Sequence, residues 1–113
     1  MPEEITTAVA RRLEDVPADE PFPGVIHRIV HDQPGMLVKA FTMSDGEFAT
    51  EAHSHPEIQI MLVTSGEFHM EVGGEHVHLV EGTVLTIPGN VPHRAWSTGT
   101  DAAGVDVFFL PQD

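Results

Sequence analysis

The 113-residue sequence contains no cysteine and no tyrosine, and sets only five lysines and arginines against eighteen aspartates and glutamates. Without thiols there can be neither disulfides nor thiolate metal sites, so any metal must be held by nitrogen and oxygen. The shortage of basic residues leaves a formal net charge of −13. Such a surface repels polyanions, which excludes nucleic acid and anionic membrane as partners. It does not exclude a small anion, because surface fields are screened beyond about 8 Å at physiological salt. No apolar run approaches the ~20 residues of a membrane-spanning helix. The opening Met1-Pro2-Glu3-Glu4 carries acids where a secretory leader needs basic residues, so the expected location is cytoplasmic.

The length suits one domain. Residues 1–23 read as an acidic N-terminal arm or short helix, and residues 24–113 as a β-barrel domain. Ile5, Val9 and Leu13 recur at helical spacing, and Pro17, Pro21 and Pro23 then forbid regular structure up to Gly24. Beyond it the chain reads as short strands: 25–31, 36–43, 47–55, 58–64, 67–72, 75–80, 83–87, 93–97 and 103–110. Turn chemistry separates them, at Gln33-Pro34-Gly35, Ser44-Asp45-Gly46, Ser65-Gly66, Gly73-Gly74 and Pro88-Gly89-Asn90. Many short strands without a helical run between them predict an all-β antiparallel barrel. The run Ile58–Val63, apolar on both faces apart from Gln59, predicts a strand covered on both sides, by the core and by another sheet or subunit. A homodimer is the expectation that follows.

What the chain has in excess is histidine, eight residues in all. His53 and His55 are two apart, which on a strand puts both imidazoles on one face. Gln59 is the only polar side chain in the next run and needs a partner, since an unsatisfied buried amide costs about 1–3 kcal/mol. His93 follows the tight turn Pro88–Pro92, in which Asn90 suits a left-handed backbone position. Together these predict one divalent ion (Zn, Ni, Mn, Fe or Cu) on His53, His55 and His93, with Gln59 as fourth ligand and Glu57 as its rival. His76-Val77-His78 has the same spacing, but Val77 and Leu79 form the apolar face, so this pair and His69 point to solvent. Arg94 and Trp96 alternate away from His93 and face outward. His27 and His31 stay open, at the barrel mouth or at a dimer contact. Asp106 interrupts an apolar final strand. It is either a carboxylate at a strand edge or in a salt bridge, or a general acid–base facing the cavity.

The pattern His53-x-His55-x3-Gln59-x6-Gly66, with Gly82-x5-Pro88-x4-His93, resembles the two motifs of the cupin superfamily over about residues 24–110. The resemblance implies a double-stranded β-helix, or jelly roll, and the four-ligand metal site just described. Gln59 stands where a glutamate is usual, Asn90 replaces a glycine, and the Gly46-to-His53 spacing is one residue longer. Three imidazoles and an amide leave a bound ion with its full charge, a better host for a carboxylate or enolate oxygen. Within the superfamily, His53-Ser54-His55-Pro56, Gln59, Pro92-His93 and Val105-Asp106-Val107-Phe108 are similar to the KdgF family of uronate-linearising cupins. That likeness implies isomerisation of a cyclic 4,5-unsaturated uronate, with Asp106 catalytic. It also implies a C-terminal arginine for the substrate's carboxylate, which is absent from Leu110-Pro111-Gln112-Asp113. Arg28 or Lys39 would replace it if either faces the cavity. The alternatives are a three-histidine metal dioxygenase and a non-catalytic module binding a small ligand.

Overall fold

A computed structural model describes residues 7–44 and 47–111. Nine strands form one continuous antiparallel sheet that wraps on itself: β1 (Ala18–Phe22), β2 (Val25–Gln33), β3 (Met36–Met43), β4 (Glu47–Ala49), β5 (Ile58–Val72), β6 (Glu75–Val80), β7 (Val84–Ile87), β8 (His93–Thr98) and β9 (Ala102–Phe109). The spatial order is β1-β2-β3-β9-β5-β8-β4, with β6 and β7 also paired to β5. Among the described residues the one helical element is a single 3-10 turn at Leu13–Asp15. The all-β barrel expected from turn spacing is therefore the fold. Ile5, Asp45, Gly46, Gln112 and Asp113 lie outside the described residues, and with them part of the expected leader helix and of one turn.

Three expectations need correction. Residues 58–64 and 67–72 are not two strands but the single 15-residue β5. Its first half pairs with β7 and β9, its second with β6 and β8. Ser65-Gly66 is a shift in the ladder rather than a turn, since the register slips between Val63 and Ser65. Gly66 sits at φ +74°, and a Cβ there would overlap the Asp101 carbonyl. A glycine that permits a bulge carries the same local signature as one that permits a turn.

The leader is the second correction. Its prolines do not postpone regular structure to Gly24, because Ala18–Phe22 pairs with β2. Pro21 is tolerated on this strand, which among the described residues is an edge strand and whose register slips between Asp19 and Phe22. Residues 7–12 form no helix. Arg28 and Arg11 instead donate to the backbone carbonyls of Val16 and Val30, tying the leader to β2 as an extended arm.

Inside the barrel, alternation works as expected. Val25, Phe41, Met61, Val63, Phe68 and Leu79 belong to one buried cluster, with Phe41 and Phe68 edge to face at 5.9 Å. The outward face of β5 is only partly covered within the chain. Leu62 is 41% exposed beside its cross-strand neighbour Val84 at 63%, while Ile58 and Ile60 on the same face are half-buried.

Candidate metal centre

The third correction concerns the first two histidines. Residues 47–55 are not one strand: β4 stops at Ala49. His53 and His55 lie in a segment that backbone hydrogen bonds clip to the β7–β8 turn. His53 and His93 exchange both N–H···O bonds, at 3.0 and 2.8 Å, and the Asn90 amide donates to the His55 carbonyl at 2.7 Å. Asn90 takes the left-handed conformation foreseen for it, φ 65°. Gly89 presses against the Pro56 carbonyl, where a Cβ would collide. A turn with this backbone shape thus supplies His93 and also aligns the segment that carries its two partners.

The three rings meet. His93 lies 4.4 Å from His53 and 4.9 Å from His55, centroid to centroid, and the three offer ligand nitrogens within 4.8 Å of one another. Each Nδ1 faces a backbone carbonyl: His53 that of Glu51 at 3.1 Å, His55 that of Glu57 at 3.0 Å, His93 that of Val91 at 2.9 Å. A carbonyl only accepts, so each Nδ1 is the protonated donor. In the neutral ring Nε2 then carries a free lone pair. The His93 Nε2 is buried and has no hydrogen-bond partner. Burial, opposed by the Val91 carbonyl and aided by His53 and His55, holds the His93 pKa below its ordinary value, so the lone pair is present at neutral pH.

Gln59 offers a further ligand atom beside these histidines. It is buried, and its Nε2 donates to Oδ1 of Asp106 at 3.1 Å. That bond turns Oε1 toward Nε2 of His55, 3.2 Å away. Two acceptors facing one another, beside a buried lone pair without a donor, would be satisfied by a cation between them. The donor set therefore fits a divalent ion bound by three imidazoles and an amide oxygen. The Glu57 carboxylate stands on the other side of His55, 3.7 Å from Nδ1.

Asp106 is neither at an edge nor in a salt bridge. It is 5% exposed, and burial, offset by the Gln59 amide, Lys39 and His55, raises its pKa to about 6. It lines a cavity of about 680 Å³ together with the three histidines, Gln59, Lys39 and Phe108. His27, left open by the sequence, lines it too, while His31 bonds to Gln33 outside. Arg28 does not line it, being engaged with the carbonyls of Glu14 and Val16. Lys39, which the sequence offered only on condition that it face the cavity, does so, and His27 and Phe108 join it. The signal was alternation: Lys39 shares its face of β3 with Leu37, Phe41 and Met43, and pairs with Asp106. His69, His76 and His78 do not line the cavity: His69 and His76 stack with Trp96, His78 stacks on His69, and Arg94 covers the indole at 4.7 Å.

Barrel, paired histidine segments and inward cavity define a class. The chain belongs to the cupin family: the Cupin domain model matches residues 40–108. Among solved structures, KdgF from Halomonas sp. is similar, with TM-score 0.80, 24% identity, and 95% of this chain and 97% of that one covered. An RmlC-like cupin from Shewanella frigidimarina has TM-score 0.81 at 20% identity, with 95% of each chain covered. The polyketide cyclase RemF from Streptomyces resistomycificus has TM-score 0.79 at 20% identity, covering 93% of this chain and 81% of that one. These likenesses show the shared fold. No curated protein matches the sequence.

Proposed function

We propose that the protein is a metal-dependent isomerase that opens a cyclic 4,5-unsaturated uronate to its linear keto form. The observation that carries the reading is the Gln59–Asp106 hydrogen bond, which joins the ligand set to a buried carboxylate of pKa about 6. His53, His55, His93 and Gln59 would hold the ion, and a bound divalent ion supplies Lewis acidity toward a substrate oxygen. Isomerisation adds no atoms. The anomeric hydroxyl loses a proton as the ring C–O bond breaks, and the released enol gains one at carbon. A carboxylate near pKa 6 is basic enough at neutral pH to take the first proton and acidic enough to return it. The resemblance of the Asp106 segment to the KdgF family supports the same assignment.

Loss of the unsaturated chromophore tests this directly. Wild-type protein loaded with a divalent metal should turn over the unsaturated uronate, and Asp106→Ala should lose turnover while keeping its metal. Turnover absent from the wild type, or kept by Asp106→Ala, overturns the reading; substrate-dependent oxygen uptake with iron or copper would install a dioxygenase instead. We also propose a homodimer through the outer face of β5 and β7, where Leu62 and Val84 stand exposed. Light scattering should give twice the 12.3 kDa of one chain, and Leu62→Glu should return it to the monomer.

A further inference from the structure

Of the five lysines and arginines, four are arginines, and all four are engaged outside the cavity. Arg11 bonds to Val30, Arg12 to Glu14, Arg28 to Val16, and Arg94 to Glu71. Lys39 is the only lysine in the sequence, and it lines the cavity. Its Nζ stands 4.9 Å over the Phe108 ring and 3.5 Å from His27 Nδ1. It makes no salt bridge among the described residues.

An ammonium has three donors, and a strongly hydrated one is costly to hold in an apolar wall unless something pairs with it. The carboxylate that acts on it is its cross-strand partner Asp106, whose Oδ1 already accepts from Gln59. On the other side of the matter, Phe108 also touches His55, edge to face at 5.5 Å. The same aromatic ring therefore borders both the lone cation and the ligand nitrogens. In a protein of net charge −13 Lys39 is, among the described residues, the lysine or arginine that lines the histidine cavity, and an anion entering it would be drawn there.

We propose that Lys39 is the carboxylate anchor of this cavity, holding the acid group of a small sugar acid beside Phe108 while the rest of the molecule reaches the histidines. This deepens the uronate reading and names the group that selects for the acid. Asp106 remains the proton carrier, and Lys39 fixes which end of the substrate lies where.

The test is binding, measured by calorimetry on zinc-loaded protein with D-galacturonate and with its uncharged counterpart D-galactose. Wild type should prefer galacturonate, and Lys39→Met should cut that preference about tenfold, the worth of one charge-assisted contact. Zinc content should not change, and Lys39→Arg should keep the preference within about threefold. Three results overturn the proposal: no galacturonate binding by wild type, an unchanged preference in Lys39→Met, or an arginine variant as weak as the methionine one. A wild type that discriminates through Lys39 yet fails to open an unsaturated uronate removes the isomerase and leaves the anchor in place.

Discussion

His76 and His78 stand on a regular strand, so their side chains share a face, yet neither lines the cavity. His53 and His55 have the same spacing on a segment with a single bridge to its neighbour, and they converge with His93. The strand pair spends its nitrogens on side chains: His78 bonds to Glu67 at 2.8 Å and His76 to His69 at 3.0 Å. The loop pair gives each Nδ1 to a backbone carbonyl and leaves each Nε2 aimed inward. Spacing brings two imidazoles together in either case. A site further requires that the backbone fix the tautomer and that a third ligand arrive from elsewhere in the chain.

The largest expected effect breaks the comparison at its root. His93→Ala should weaken zinc binding by more than ~100-fold in a chelator competition, while the double variant His76→Ala/His78→Ala keeps full affinity. Equal losses would mean that the outer pair competes for the ion.

A second prediction sharpens the inner side. The folded-state pKa of Asp106 is about 6 against an ordinary 3.8, so the folded chain holds this proton more tightly than the unfolded one. The resulting stability is fully present below pH ~4 and is lost as pH rises through 6. Without metal, Asp106→Asn should remove that loss and unfold at higher denaturant above pH 7, by about 3 kcal/mol relative to wild type. Metal should reverse the order if the charged Asp106 steadies Gln59 against the ion. The measurement is urea unfolding of both proteins from pH 4 to 8, with chelator and with zinc.

The smallest effect belongs to the outer face. Glu67 and His78 are close to half exposed, and water and salt screen such a pair. Glu67→Gln should change stability by less than ~0.5 kcal/mol and leave zinc affinity untouched. A larger shift in a thermal melt would show that the stack with Trp96 holds the strands together.

The contrast also explains what could be read without the fold. Strands Met36–Met43 and Glu75–Val80 were legible to the residue, because alternation over a regular ladder has one period and clear turn chemistry at each end. The outward direction of His76 and His78 followed from Val77 and Leu79 opposite them. The segment from Glu47 to His55 misled, because an irregular loop held by distant hydrogen bonds has no period to read. Ser65-Gly66 misled for a related reason, since a bulge inside β5 and a turn between two strands use the same residues. Of the two readings of the leader, arm or short helix, the helix fails over residues 7–12, because the four-residue spacing of Ile5, Val9 and Leu13 stabilises a helix only if their shared face is buried, and Val9 and Leu13 are exposed.

By itself the sequence determined the antiparallel barrel, the exclusion of thiolate chemistry, and the set of His53, His55, Gln59, His93 and Asp106 as candidates. Those follow from composition, period and turn residues, which act locally along the chain. Only the tertiary structure decided that Gln59 turns its oxygen toward His55, because Asp106, 47 residues away, takes its amide hydrogen. The same holds for Lys39: β3 must pair with β9 before its charge can reach the cavity. Orientation of a polar group depends on partners that the local sequence does not contain.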